Sequence, residues 1–228
     1  MGNIVELLGW YGSDQTHACS AWTSTSRELN EEKIVRIPKL LKMLADNGHH
    51  SPFEKSSLHF LVDTDIASHI HIIKHRIATS VNAESARYKE LKEDKYYLPE
   101  DWIDIEASCS STKIGDIRNK KWIDILKDYT IIGNELYHNC LKDLEPILGR
   151  KRAKESARFF KTYNSQIQAD VMFNFRSFVH FLNLRHAIDK EGNSIAQKEI
   201  YDIADKMLNL VKNIEGNPFK YSIVAFNL

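Results

Sequence analysis

Polar and apolar positions change rhythm several times along the chain, and each change marks an element. Asn3 to Trp10 reads as a strand broken at Tyr11-Gly12-Ser13-Asp14, with Ser13 or Asp14 placed to cap a short helix through Ala21. Asn30-Glu31-Glu32 opens a second helix. Its apolar Ile34, Ile37, Leu40, Leu41 and Leu44 recur at helical spacing and form a core face, and Asn47-Gly48 stops it. His49-His50-Ser51-Pro52-Phe53-Glu54 is a turn, and Ser57 to Val62 alternates as a strand. Asp63 or Thr64 caps the next helix. There Ile66, Ile70, Ile73 and Ile77 make one stripe, and Ser68, His71 and His75 the opposite one.

The second half is more helical. Arg87 to Leu98 reads as extended, Ile103 to Lys113 as a hydroxyl-rich loop. A long helix follows from about Asp116 to Leu148, with Trp122, Ile125, Leu126, Tyr129, Ile132 and Leu136 as its expected buried face. Gly149 interrupts it before a helix over Lys151 to Phe160. Gln166 to Phe173 reads as a strand, Asn174 to Leu184 as a helix with Phe175, Phe178, Phe181 and Leu182 on one side and Arg176, His180 and Asn183 on the other. Arg185 comes round to the apolar side at the helix end, where a guanidinium needs a partner. Ser194 to Ile214 is a final long helix, and Gly216-Asn217-Pro218 precedes an apolar tail.

At 228 residues the chain can bury one substantial core, so residues 1–228 are read as a single domain. Lys+Arg and Asp+Glu both number 31, so no global field favours nucleic acid or an anionic membrane, and any anion site is local. The widely spaced Cys19, Cys109 and Cys140 suggest neither a zinc knuckle nor a disulfide framework. No apolar run approaches the roughly 18 residues of a membrane span, and the N-terminus lacks the form of a signal peptide. These features imply a cytoplasmic protein without a membrane or nucleic-acid partner.

The densest chemistry lies in Lys74-His75-Arg76-Ile77-Ala78-Thr79-Ser80-Val81-Asn82-Ala83-Glu84-Ser85-Ala86-Arg87-Tyr88. Guanidinium forks and hydroxyls suit phosphate oxygens; a solvated helix end with its cations set against the helix dipole is the plainer alternative. The stretch resembles the signature of the flavin-dependent thymidylate synthases, Arg-His-Arg, seven residues, then Ser, continued as Ser-x-Arg-Tyr. Lys74 replaces the first Arg, and eight residues separate Arg76 from Ser85, the extra one lying before Asn82. Further resemblances follow in order: the Ser51-Pro52-Phe53-Glu54 turn, Asn174-x-Arg176-Ser177 continued as Phe181-Leu182-Asn183-Leu184-Arg185, and Ala196-Gln197-x-Glu199. Ile195 stands where the family has a His.

The resemblance implies an α+β fold with a central antiparallel sheet flanked by long helices. It implies reductive methylation of dUMP to dTMP, with methylenetetrahydrofolate as one-carbon donor and FAD reduced by NADPH. Ser51, Glu54, Lys74, His75, Arg76, Asn174, Arg176 and His180 would contact FAD. His71, Lys74, Glu84, Ser85, the backbone of Ala86, Arg87, Arg158 and Arg185 would hold dUMP, with Arg185 the catalytic residue at the base. The family's homotetramer would share sites between chains. No G-x-G-x-x-G occurs, so a flavin diphosphate would need side-chain cations. The alternative is a metal hydrolase on His71-x-x-x-His75, although Ile72 stands where H-E-x-x-H has its Glu. A basic helical nucleic-acid module is a third reading, opposed by the zero net charge.

Overall fold

A computed structural model of the chain describes residues 2–85, 88–91, 93–109, 111–112 and 115–228. In chain order the strands and helices are β1 (Ile4–Tyr11), α1 (Asp14–Ala21), α2 (Glu31–Asp46), β2 (Ser57–Asp65), α3 (Ile66–Ile73), β3 (Thr79–Ala83), the two-residue strands β4 (Ser111–Thr112) and β5 (Gly115–Asp116), α4 (Trp122–Leu148), α5 (Arg150–Ala157), β6 (Gln166–Asn174), α6 (Phe175–Arg185), α7 (Lys198–Lys212) and α8 (Lys220–Ala225). The fold is α+β, with a four-stranded sheet in the order β1-β2-β6-β3. β1 and β2 pair antiparallel from Ile4↔Asp63 to Tyr11↔Ser57, with an irregularity between Leu7 and Gly9. No described helix is long and apolar enough to cross a membrane.

The chain divides into two compact units. The smaller comprises Met1–Gly2, Thr64–His69 and Ala83–Ile167; the larger comprises Asn3–Asp63, Ile70–Asn82 and Gln168–Leu228. The larger unit's core is aromatic. Phe53, Phe60, Phe173, Phe175, Phe178, Phe181 and Phe219 are fully buried, with Leu41, Leu58 and Met207 among them. Removing that much apolar surface from water supplies the main drive to fold. α8 and α1 pack on α2, and α7 packs on β1 and α6. The apolar tail expected after Pro218 is thus a structural element, covering α2.

Several expected elements stand close to where the pattern put them. Ser13 caps α1, Asn30 caps α2 by accepting from the Lys33 N–H at 2.9 Å, and the Asn174 side chain accepts from the Ser177 N–H at 2.8 Å at the start of α6. Others move. Asp63 and Thr64 lie inside β2, and Asp65 accepts from the Ser68 N–H at 2.8 Å in their place. On α3 the buried positions are Ser68, His69 and Ile72, while Ile73 and Ile77 are exposed, so the isoleucine stripe is not the core face. Tyr88 to Leu98 is irregular where described, holding one bridge from Tyr96 to Ser165, and β3 arises where no strand is expected.

In the smaller unit α4 begins at Trp122, because β4 and β5 pair just upstream. Its buried face is Thr130, Gly133, Asn134, Tyr137 and Leu141, and the expected face, including Tyr129, Ile132 and Leu136, is largely exposed. The reason is local. Tyr137 and Leu141 pack on Ala153 and Ala157 of α5. At Gly133 a Cβ would fall 2.6 Å from the Phe160 carbonyl oxygen, so glycine lets the Arg158–Phe160 turn lie directly on the helix. Ile34 of α2 is likewise exposed, whereas Ile37, Leu41 and Leu44 are buried.

Candidate functional site

A cavity of about 800 Å³ lies wholly within the larger unit. That volume is in the range of ordinary small-molecule sites. Lys74, His75 and Arg76 form one wall, in the loop just beyond α3 and not on its last turn. Asn174, Arg176, His180 and Arg185 of β6 and α6 form a second, and Glu54 a third. α6 divides its faces sharply. Its phenylalanines are sealed in the core, so the intervening positions 176, 180 and 183 turn toward the cavity. Phe226 and Asn227, which follow α8, close the far side, with Phe226 edge-on to Phe53 at 4.8 Å.

The electrostatics are one-sided. The Arg176 guanidinium donates to Glu54 at 2.5 Å. Lys74 and Arg76 are exposed and make no ion pair among the described residues. Arg185 Nε–H donates to His75 Nε2 at 3.2 Å. That bond requires His75 to be neutral with its proton on Nδ1, and it leaves both terminal guanidinium nitrogens of Arg185 for another acceptor. Burial, then the charges of Arg185, His180 and His71, push the His75 pKa down to about 4, so the neutral form persists at ordinary pH. Ala78, two residues past Arg76, has φ +50°, a left-handed conformation that strains any residue with a Cβ. Its carbonyl accepts from the Asn174 N–H at 3.2 Å, which ties the loop to β6. The residue by which this loop exceeds the family spacing lies in the same stretch.

Of the residues singled out by sequence, Glu54, Lys74, His75, Arg76, Asn174, Arg176, His180 and Arg185 are brought together around this cavity. Ser51 is not; it is exposed at the start of the Ser51–Glu54 turn. His71 lies on the last turn of α3, four residues before His75, with Nδ1 buried and lacking a hydrogen-bond partner among the described residues. Glu84, Ser85 and Arg158 belong to the smaller unit. There Glu84 accepts from Lys89 at 2.7 Å, and the Ser85 carbonyl accepts from the Tyr88 and Lys89 N–H groups. Arg158 is exposed on its turn. Ala86 and Arg87 lie outside the described residues. Sequence reading missed Phe226 and Asn227 as lining residues, since an apolar tail carries no signal of what it will face. No group of three or more His, Cys, Asp or Glu able to hold a metal occurs among the described residues, so His71 and His75 gain no third ligand there.

The smaller unit holds a second cationic cluster of different character. Lys161, almost fully buried, donates to Asp94 at 2.6 Å and to Asn134 Oδ1 at 2.8 Å, and lies 4.5 Å from the centre of the Tyr137 ring. His138 completes the Asp94 contacts at 2.9 Å. Burial would raise the Asp94 pKa, but the Lys161 and His138 bonds outweigh it and hold the carboxyl below its usual range. Lys154 donates to the Tyr88 carbonyl at 2.9 Å, and the Tyr137 hydroxyl accepts from the Leu91 N–H at 3.1 Å. These bonds anchor the segment that follows the signature.

Known proteins resemble this chain over most of its length. A family model described as thymidylate synthase complementing protein matches residues 6–215. The flavin-dependent thymidylate synthase of Clostridium tetani is 30% identical over 199 residues, covering 86% of this chain and 74% of that protein. Its counterpart in Thermosipho melanesiensis is 31% identical over 231 residues, covering 98% and 91%. Among solved structures, the UMP/dUMP methylase PolB from Streptomyces cacaoi, bound with 5-Br dUMP, matches with a TM-score of 0.75 and 25% identity over 99% of this chain and 94% of that one. With its family model, its curated relatives and its fold in accord, the chain belongs to the flavin-dependent thymidylate synthases.

Proposed function

We propose that this protein converts dUMP to dTMP, taking the one-carbon unit from methylenetetrahydrofolate and its reducing equivalents from NADPH by way of FAD. One observation carries the reading: Lys74 and Arg76, without ion-pair partners among the described residues, stand beside Arg176 and Arg185 around a cavity of about 800 Å³. The fit to a flavin diphosphate is chemical. With no glycine loop available, charged side chains at a rigid wall are the remaining way to neutralise it. Lys74, His75, Arg76, Asn174, Arg176 and His180 would hold the flavin, with Glu54 fixing Arg176 and Ser51 at the edge of the turn. When bound, FAD would supply the hydride.

His71, Lys74, Glu84, Ser85, the Ala86 backbone, Arg87 and Arg158 are assigned to dUMP. We place them in sites shared among the subunits of a homotetramer. Uracil C5 becomes nucleophilic only as negative charge develops on the ring. The two terminal nitrogens of Arg185, left open by its Nε bond to His75, suit that developing charge at the base edge. Arg87 and Arg158 orient the nucleotide through its phosphate. The reading is tested by a visible absorption spectrum of the purified protein and by dTMP formation from dUMP, methylenetetrahydrofolate and NADPH, with UMP run in parallel. A protein that carries no flavin and makes no methylated pyrimidine nucleotide would overturn it.

A further inference from the structure

A second recess of about 550 Å³ lies in the larger unit, between α1 and the segment leading into β2. Tyr11 and Ser57 line it as cross-strand partners of β1 and β2, and Ser20, Arg27 and Lys55 complete the donors. Among the described residues, none of these five side chains donates to a protein acceptor. Glu54 is the one carboxylate at the wall, and its Oε1 is already engaged by Arg176. The floor is rigid. Ser56 donates to His17 Nε2 at 2.7 Å; His17 Nδ1–H donates to Ser222 at 2.9 Å; Ser222 donates to Asp14 at 2.6 Å. Gly12, at φ +92°, has Ser56 Cβ 2.7 Å from where its own Cβ would stand, so the backbone there approaches as closely as glycine permits.

Two cations and three hydroxyls line one recess whose single carboxylate is already paired, so an acceptor-rich anion is the ligand they suit. A carboxylate brings only two acceptor oxygens and one negative charge. A phosphomonoester offers three strong acceptor oxygens and a charge of about −1.5 to −2, which matches the pair Arg27 and Lys55. We propose that this recess is a phosphomonoester subsite, separate from the main cavity but sharing Glu54 as a wall. Two sources share that chemistry: the 2′-phosphate of the reductant, an assignment that rests on the proposed reaction, and the phosphate of another nucleotide or free phosphate.

The test is titration of the full-length protein with inorganic phosphate and with 2′-AMP, as purified and again with FAD and dUMP added to fill the main cavity. Saturable binding that weakens at least tenfold in the Arg27→Gln/Lys55→Gln double variant, with the flavin spectrum and thermal midpoint unchanged, is the expected result. A KM for NADPH that rises about tenfold in the double variant, with that for NADH unmoved, assigns the site to the reductant. Loss of phosphate binding with both values unmoved assigns it to another phosphomonoester. Binding that is absent from the wild type, or equal in both proteins, overturns the proposal. A protein without flavin or NADPH oxidation would refute the proposed reaction alone, since the phosphate titration is read independently of either.

Discussion

The two cationic clusters use similar residues to opposite ends. Around Asp94, buried Lys161 meets a carboxylate, an amide oxygen and an aromatic face, and Lys154 meets a backbone carbonyl. In the main cavity, among the described residues, Lys74 and Arg76 meet nothing of the kind, and Arg185 is bound only through Nε. A cation whose donors are all engaged holds the fold and has nothing to offer a ligand. One left facing a cavity adds little to stability and keeps its charge for a guest. Partnership, not residue type, separates a structural cation from a binding one.

The contrast breaks most visibly at Arg185. Arg185→Ala should lower turnover by about 10²- to 10³-fold, some 3–4 kcal/mol of transition-state stabilisation, with flavin retained. Parent-rate dTMP synthesis by that variant would remove its proposed role. Lys161→Met should behave in reverse. It strands Asp94 and Asn134 and is expected to destabilise by about 3 kcal/mol, seen as a lower urea midpoint, with flavin affinity of the folded fraction unchanged.

A pH series sharpens the picture in the larger unit. His17 is fully buried, and burial lowers its pKa from 6.5 to about 4. Above pH 6.5 it is neutral folded or unfolded. As the pH falls from there toward 4, the unfolded chain takes up a proton that the folded one refuses, so stability is lost across that window. For His17 this is about 2 kcal/mol between pH 7 and pH 5. Asp14, raised by burial against its Ser222 and backbone bonds, acts in the opposite sense at the acid end. Urea midpoints at the two pH values measure the slope, which His17→Gln should flatten. The smallest expected effect is at Arg76: Arg76→Gln should weaken FAD binding about tenfold, roughly 1.4 kcal/mol, and shift stability by less than about 0.5 kcal/mol.

Much of the fold was legible because short-range rules dominate where they apply. Caps at Ser13, Asn30 and Asn174 satisfy helix donors from within a few residues, and the phenylalanines of α6 share one face at helical spacing. The failures share a cause. On α4 and α3 the more apolar stripe was expected inside; on α4 glycine lets the Phe160 backbone approach the other side, so Gly133 is buried while Ile132 is exposed, and on α3 Ser68, bonded to Asp65, is buried while Ile73 is exposed. Hydrophobic periodicity reports which faces differ, not which one a neighbour reaches.

By itself the sequence determined the family, through ordered motifs, and the types of donor available to a ligand. Tertiary structure alone decided which of those donors remain open. It set Arg185 against a neutral His75, seated Phe226 at the cavity wall and enclosed Lys161 with its acid. Each of these depends on contacts between residues far apart in the chain, and no local pattern encodes the distance or the dielectric between them.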